Sequence, residues 1–174
     1  MKTYICQICG DAYVGEGKPT ECPFCGAPSN FIKPGKEARP IVNEKIEISE
    51  VSRRNLEATY DLEIKASTIY TCMAGKAKNY EVKAMFKRLA KIELEHAVIA
   101  TKIMGTPAPV VAPQECSDED VENFKETVKL EKHATEVYAK FLKEATETNI
   151  RILFNALNQI EADHIKLMEN YLVK

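Results

Sequence analysis

From about Ser49 to the C-terminus, apolar residues recur with the period of helices that bury one face. Before that point the chain shows no such period. The pattern predicts helix A over roughly 50–75, helix B over 80–104, helix C up to about 145 and helix D over 149–171. Punctuation supports these bounds. Ser49 or Ser52 can cap helix A, and Gly75–Asn79 separates A from B. Gly105 stops helix B, and the proline-rich TPAPVVAPQEC that follows cannot be helical throughout. Ser117 followed by Asp120 reads as a capping box for helix C, with Asp in place of Glu.

Connection lengths then limit the topology. The A–B and C–D turns are short, so each pair is an antiparallel hairpin. The B–C connection has about a dozen residues and reaches ~40 Å when extended. That suffices to run the length of a bundle, so a four-helix bundle with one long crossover is predicted. Residues 1–34, rich in Gly, Pro, Cys and aromatics, form a separate small module, residues 35–48 an irregular or extended linker, and residues 49–174 the bundle.

Composition narrows the function classes. Hydrophobic residues at 45% and charged residues at 29% describe a globular chain, and a net charge of −2 gives no reason to expect nucleic acid or an anionic membrane as partner. No apolar run approaches the ~20 residues of a membrane span. The start, MKTYICQICG, lacks the apolar stretch of a signal peptide. A cytoplasmic protein in a reducing compartment is therefore expected.

The bundle contains an internal repeat. Glu63 to Tyr70 in helix A and Glu131 to Tyr138 in helix C both read E-x-x-A-[S/T]-x-x-Y. Glu93 to His96 in helix B and Glu161 to His164 in helix D both read E-x-[E/D]-H. Glu63 precedes Glu93 by 30 residues, and Glu131 precedes Glu161 by the same 30. The midpoint of each pair falls at a turn, so partner residues lie at the same height. At about 100° per residue, a Glu and a His three apart share one helix face. Two hairpins packed face to face would gather Glu63, Glu93, His96, Glu131, Glu161 and His164 at mid-bundle.

Such a cluster cannot remain buried, ionised and uncompensated. Four carboxylates balance two divalent cations, and oxygen-rich ligation with two imidazoles favours iron or manganese over structural zinc. The arrangement matches the known pattern of di-metal carboxylate bundles. Tyr70 and Tyr138, seven residues beyond Glu63 and Glu131, are expected to hydrogen-bond ligand carboxylates, with ordinary core packing as the other reading. Ala66 and Ala134 leave room for a small ligand or serve close packing. Ser67 and Thr135 either face the site or bond back to their own helices. His133 points away from Glu131 and is read as a surface or interface residue. Cys72 is roughly opposite Glu63 and is read as a small buried apolar group; Cys116, in the crossover, has no assigned role.

The small module carries its own chemistry. Cys6-Gln-Ile-Cys9-Gly10 and Cys22-Pro23-Phe24-Cys25-Gly26 are two C-x-x-C-G knuckles separated by 12 residues. Four thiolates in two such turns make a tetrahedral site for zinc or iron. The glycines permit positive φ where amides approach sulfur. Tyr4, Tyr13, Phe24 and Phe31 either shield a redox metal or build the mini-core of so small a module.

Taken together, the helix A motif, both E-x-x-H motifs and the spacing of the knuckles resemble the rubrerythrin family over nearly the whole chain. The order resembles that of reverse rubrerythrins, with the rubredoxin-like module first. The resemblance implies a ferritin-like di-iron bundle, an iron in the four-cysteine site, and reduction of hydrogen peroxide to water with electrons supplied by a reductase. It also implies a homodimer, whose extended crossover permits helix exchange, in which one subunit's rubredoxin-like module serves the other's di-iron site. Rubrerythrins usually carry a further Glu three residues after the helix C ligand. Here that position is Ala134, which leaves open dioxygen reduction or a ferroxidase, iron-handling role. A non-enzymatic alternative is a zinc ribbon on a bundle that binds a partner.

Overall fold

A computed structural model describes residues 1–173 of the chain. Its N-terminal module is a three-stranded antiparallel sheet, β1 (Lys2–Cys6), β2 (Ala12–Gly15) and β3 (Ile32–Pro34), in the order β2-β1-β3. Register pairs Tyr4 with Tyr13 and with Pro34 across the central strand. The sheet is too small to bury much by itself. It presents the two knuckles to the bundle instead.

Residues 35–48 are irregular, as expected, and not fully extended. Two short 3-10 turns form there, Gly35–Glu37 and Ile41–Asn43. Ile41 is buried, and its amide donates to the carbonyl of Gln7 at 2.8 Å. The Arg39 amide donates to Gln7 Oε1 at 2.9 Å. The segment thereby straps the first knuckle.

Four long helices follow: α1 (Glu50–Lys76), α2 (Tyr80–Met104), α3 (Asp120–Glu144) and α4 (Thr148–Leu172). Ser49, rather than Ser52, caps α1, accepting from the Ser52 amide at 3.2 Å. Asn79 caps α2 through the Val82 amide, and Gly105 ends it in the left-handed region at φ 68°. Ser117 does not cap α3. Asn123 clamps both the amide and the carbonyl of Ser117, and the Ser117 hydroxyl accepts from the Glu119 amide, so the helix begins three residues later.

The crossover runs from the α2 end back to the α1–α2 turn, where Lys78 meets Glu119 and Asp120 at the start of α3. At the opposite end, Glu147 before α4 accepts from the Ser49 amide and the Ser52 hydroxyl at the head of α1. α1 therefore runs antiparallel to α2 and α3 and parallel to α4. The mainly α architecture is a ferritin-like bundle with a small sheet module at one flank.

Two apolar clusters fill the interior. One joins Leu56, Ile92, Ile99, Tyr138, Phe154, Leu157 and Ile160 to Ile8, Phe31 and Ile32 of the N-terminal module. The other gathers Tyr70, Met73, Phe86, Phe124 and Met168 toward the α1–α2 turn. Between them lies a polar layer of buried carboxylates and imidazoles.

Candidate metal centres

Each helix contributes to that layer at mid-length. Glu63 comes from α1, Glu93 and His96 from α2, Glu131 from α3, and Glu161 and His164 from α4. All six are buried, with Glu93 and Glu161 at most 1% exposed. The structure thus brings together all six side chains singled out in the sequence.

Their atoms form two overlapping quartets. Glu63, Glu93, His96 and Glu161 offer ligand atoms within 4.8 Å of one another, as do Glu93, Glu131, Glu161 and His164. Glu93 and Glu161 belong to both, which is the geometry of bridging carboxylates. His96 Nδ1 lies 3.0 Å from Glu93, 3.4 Å from Glu161 and 3.5 Å from Glu63. His164 Nδ1 repeats the pattern at 2.9 Å from Glu161, 3.1 Å from Glu93 and 3.5 Å from Glu131. The repeat in sequence has become a local twofold in space.

The chemistry of these atoms tests whether cations fit. Both oxygens of Glu93, both of Glu161 and the Nδ1 atoms of His96 and His164 have no hydrogen-bond partner although they are buried. Orphaned buried polar atoms are costly and rare. They converge here, and two cations would satisfy them together. Protons otherwise carry the charge. Burial pushes Glu63 up to about 7. Burial and the carboxylates of Glu93, Glu131 and Glu63 push Glu161 well above its ordinary range. Burial alone would lower both histidines, but neighbouring carboxylates, Glu63 first for His96 and Glu93 for His164, raise them well above the usual imidazole value.

Supporting contacts orient the ligands. Tyr70 donates to Glu131 Oε1 at 2.6 Å, and Tyr138 donates to Glu63 Oε1. Each tyrosine reaches across to the opposite hairpin's ligand, and both stay protonated donors because burial raises them. His96 is fixed from the far side. Its Nε2–H donates to the backbone carbonyl of Cys25 at 2.8 Å, which leaves the Nδ1 lone pair facing the carboxylates.

Cys25 belongs to the second candidate centre. Cys6, Cys9, Cys22 and Cys25 are 0–2% exposed and bring their sulfurs within 4.8 Å of one another, with 3.7 Å between Cys6 and Cys25 and between Cys9 and Cys22. Hydrogen bonding from Cys25 holds the Cys22 thiol below its ordinary range, whereas hydrogen bonding with Cys22 drives Cys9 and Cys25 above theirs. Four thiolates cannot coexist at this spacing without a cation, and a tetrahedral metal would supply one.

Other residues land elsewhere. Ser67 donates neither to the site nor to its own helix; its hydroxyl reaches the Ala90 carbonyl of α2 at 2.8 Å. Thr135 bonds back to Lys132 at 2.8 Å, and His133 is exposed. Cys72 is not an isolated apolar group. It forms a disulfide with Cys116, which ties the crossover to α1. One signal in the sequence bears on that pairing. A crossover that must end beside the α1–α2 turn carries Cys116 to the level of Cys72. The contact between His96 and Cys25 had no signal, because the acceptor is a backbone carbonyl 71 positions away.

Comparison with known proteins agrees with this geometry. A family model described as Rubrerythrin matches residues 54–172. The chain is also similar to reverse rubrerythrin-1 of Clostridium acetobutylicum, with 34% identity over 114 residues. That alignment covers 60% of this chain and 63% of the relative, so the chain spans somewhat less than two thirds of that protein's length.

Proposed function

Because the chain belongs to the rubrerythrin family, we propose that it is a non-haem di-iron oxidoreductase that reduces hydrogen peroxide to water, drawing electrons through an iron held by Cys6, Cys9, Cys22 and Cys25. The observation that carries this reading is the pair of quartets sharing Glu93 and Glu161, whose orphaned atoms converge on two positions. When bound, two irons would supply the two electrons that convert H2O2 and two protons into two waters.

The chain's own residues set the conditions for that chemistry. Glu93 and Glu161, common to both quartets, with Glu63 and His96 on one side and Glu131 and His164 on the other, would hold the two irons, and the near-complete burial of all six excludes bulk water. Tyr70 and Tyr138 restrain the Glu131 and Glu63 carboxylates through hydroxyls that burial keeps protonated at neutral pH. The hydrogen bond from His96 to Cys25 joins a ligand of one centre to a residue of the other by one short contact within a single chain. This favours electron delivery inside each chain over a relay between subunits. An external reductase as electron donor and a homodimer as the assembled form complete the proposal.

Anaerobically reduced, iron-loaded protein mixed with peroxide tests the reading. We expect rapid oxidation with about one peroxide consumed per di-iron centre, followed by turnover once an electron donor is added. Reduced protein inert toward peroxide would end it. The equivalence of the two quartets, with Ala134 where the family usually has Glu, favours a second reading as ferroxidase or dioxygen reductase. A ferroxidase would process many ferrous ions per chain, whereas a dioxygen reductase would turn over oxygen with an added electron donor.

A further inference from the structure

We propose that Cys72 and Cys116 are a reversible dithiol–disulfide pair that latches the crossover onto α1, and that reduction of this pair frees the crossover. The proposal is independent of the peroxide reading. The two sulfurs are bonded, with Cα atoms 6.0 Å apart and 44 positions between them in sequence. Cys72 sits one turn before the end of α1, and Cys116 sits four residues before α3.

Exposure separates this pair from the other cysteines. Cys72 and Cys116 are half-buried and within reach of a small thiol, whereas the knuckle cysteines are at most 2% exposed. The knuckle thiols must stay reduced until a cation takes them. An environment that keeps them reduced contains thiols able to attack an accessible disulfide. Local charge assists the exchange. The Lys76 ammonium, one turn beyond Cys72, donates to the Cys116 carbonyl at 2.8 Å, and a cation held against this residue favours its thiolate. Asp118, 3.0 Å from that ammonium, offsets part of its effect.

Little else holds the crossover. Pro107, Pro109 and Pro113 remove three amide donors from it. Among the described residues, the Thr106 amide bonds to Thr101 at the start, the Val110 amide reaches the Tyr60 hydroxyl at a long 3.4 Å, and Lys76, with the Asn123 clamp on Ser117, holds the end. Val111 to Gln114 roof a cavity of about 430 Å³ over the groove between α1 and α2, with Ser67, Thr71 and Leu94 on its floor. Without the disulfide, that roof has no covalent anchor across the groove.

The exchange balances simply. A small thiolate attacks one sulfur, a mixed disulfide forms, and a second thiol displaces it. Cys72 and Cys116 gain two electrons and two protons, and the small thiol leaves as its own disulfide. The reverse reaction with a small disulfide closes the latch.

The experiment uses the full-length, metal-loaded protein, equilibrated anaerobically across glutathione buffers from fully reduced to fully oxidised. Samples are quenched, alkylated and mapped by peptide mass spectrometry, and parallel samples are cut briefly with subtilisin. We expect Cys72 and Cys116 to become alkylated together within the range, and residues 105–116 to be cleaved at least tenfold faster in the reduced form. The C72S/C116S variant should be cleaved at the reduced rate whatever the buffer. A pair that stays bonded throughout is a permanent staple and overturns the proposal. So does a pair that opens without changing cleavage. If the variant does not fold, the comparison of reduced and oxidised wild-type protein still decides.

Discussion

Replacing Gly26 by Ala tests how the thiolate module is seated on the bundle. Gly26 has φ +77°, and a Cβ there would lie 3.2 Å from Ile160 Cγ2 and 3.7 Å from Ile92 Cγ2. Two costs follow. A left-handed conformation costs an L-residue about 1–2 kcal/mol. Forcing a methyl into a packed contact adds about 1–3 kcal/mol. Ile160 cannot easily yield, because it is 1% exposed and adjacent to Glu161. Gly105 separates the two costs. It too has positive φ, +68°, but a methyl group there would meet nothing within 4 Å. Gly105→Ala should therefore lose about 1–2 kcal/mol and Gly26→Ala about 2–5 kcal/mol in urea denaturation of the metal-loaded protein. A second readout concerns function. Gly26 follows Cys25, whose carbonyl accepts from His96 at 2.8 Å. Displacing the knuckle lengthens that bond, so the electron transfer proposed between the two centres, followed by stopped-flow absorbance, should slow in Gly26→Ala and not in Gly105→Ala. Equal stability losses in the two variants, or equal transfer rates, would refute the reasoning.

The sharing of ligands predicts unequal metal losses. Glu161→Ala should strip both positions of the carboxylate layer, whereas Glu63→Ala should weaken one, as measured by metal content after gel filtration. Removing the disulfide with C72S/C116S should cost about 4 kcal/mol by the chain-entropy relation for a 44-residue separation, read from the denaturant midpoint of the oxidised protein. Burial works to raise the Glu147 carboxyl, but the Ser49 amide and Ser52 hydroxyl hold it at about 2. In the unfolded chain it titrates near ~4.3, so its stabilising contribution is present above that pH and is lost as pH falls toward 2. Glu147→Gln should flatten the stability profile over that acid window, and an unchanged slope would dismiss the cap.

Much of the fold was legible because helices declare themselves locally. Apolar period marked four segments, with the Ser49 cap and the Gly105 stop bounding α1 and α2, and the repeat of E-x-x-A-[S/T]-x-x-Y with E-x-[E/D]-H placed six candidate ligands at one height. The two C-x-x-C-G knuckles were equally plain, since a tetrahedral thiolate site needs only short-range spacing. Equal separations along two hairpins translate directly into equal heights along a bundle, so the carboxylate layer could be read from numbers alone.

What tertiary structure decided lies between segments distant in sequence. Only packing could place the Cys25 carbonyl against His96 and cross Tyr70 to Glu131 and Tyr138 to Glu63, because those contacts depend on which helix faces which. Packing also turned Cys72 and Cys116 from two separate residues into a bond, and drew Ile41 and Arg39 of the linker onto the first knuckle. Local sequence sets which chemistry each element carries through backbone propensity and periodicity. The burial of apolar surface between elements then decides which of those chemistries meet, and that choice is a property of the whole chain.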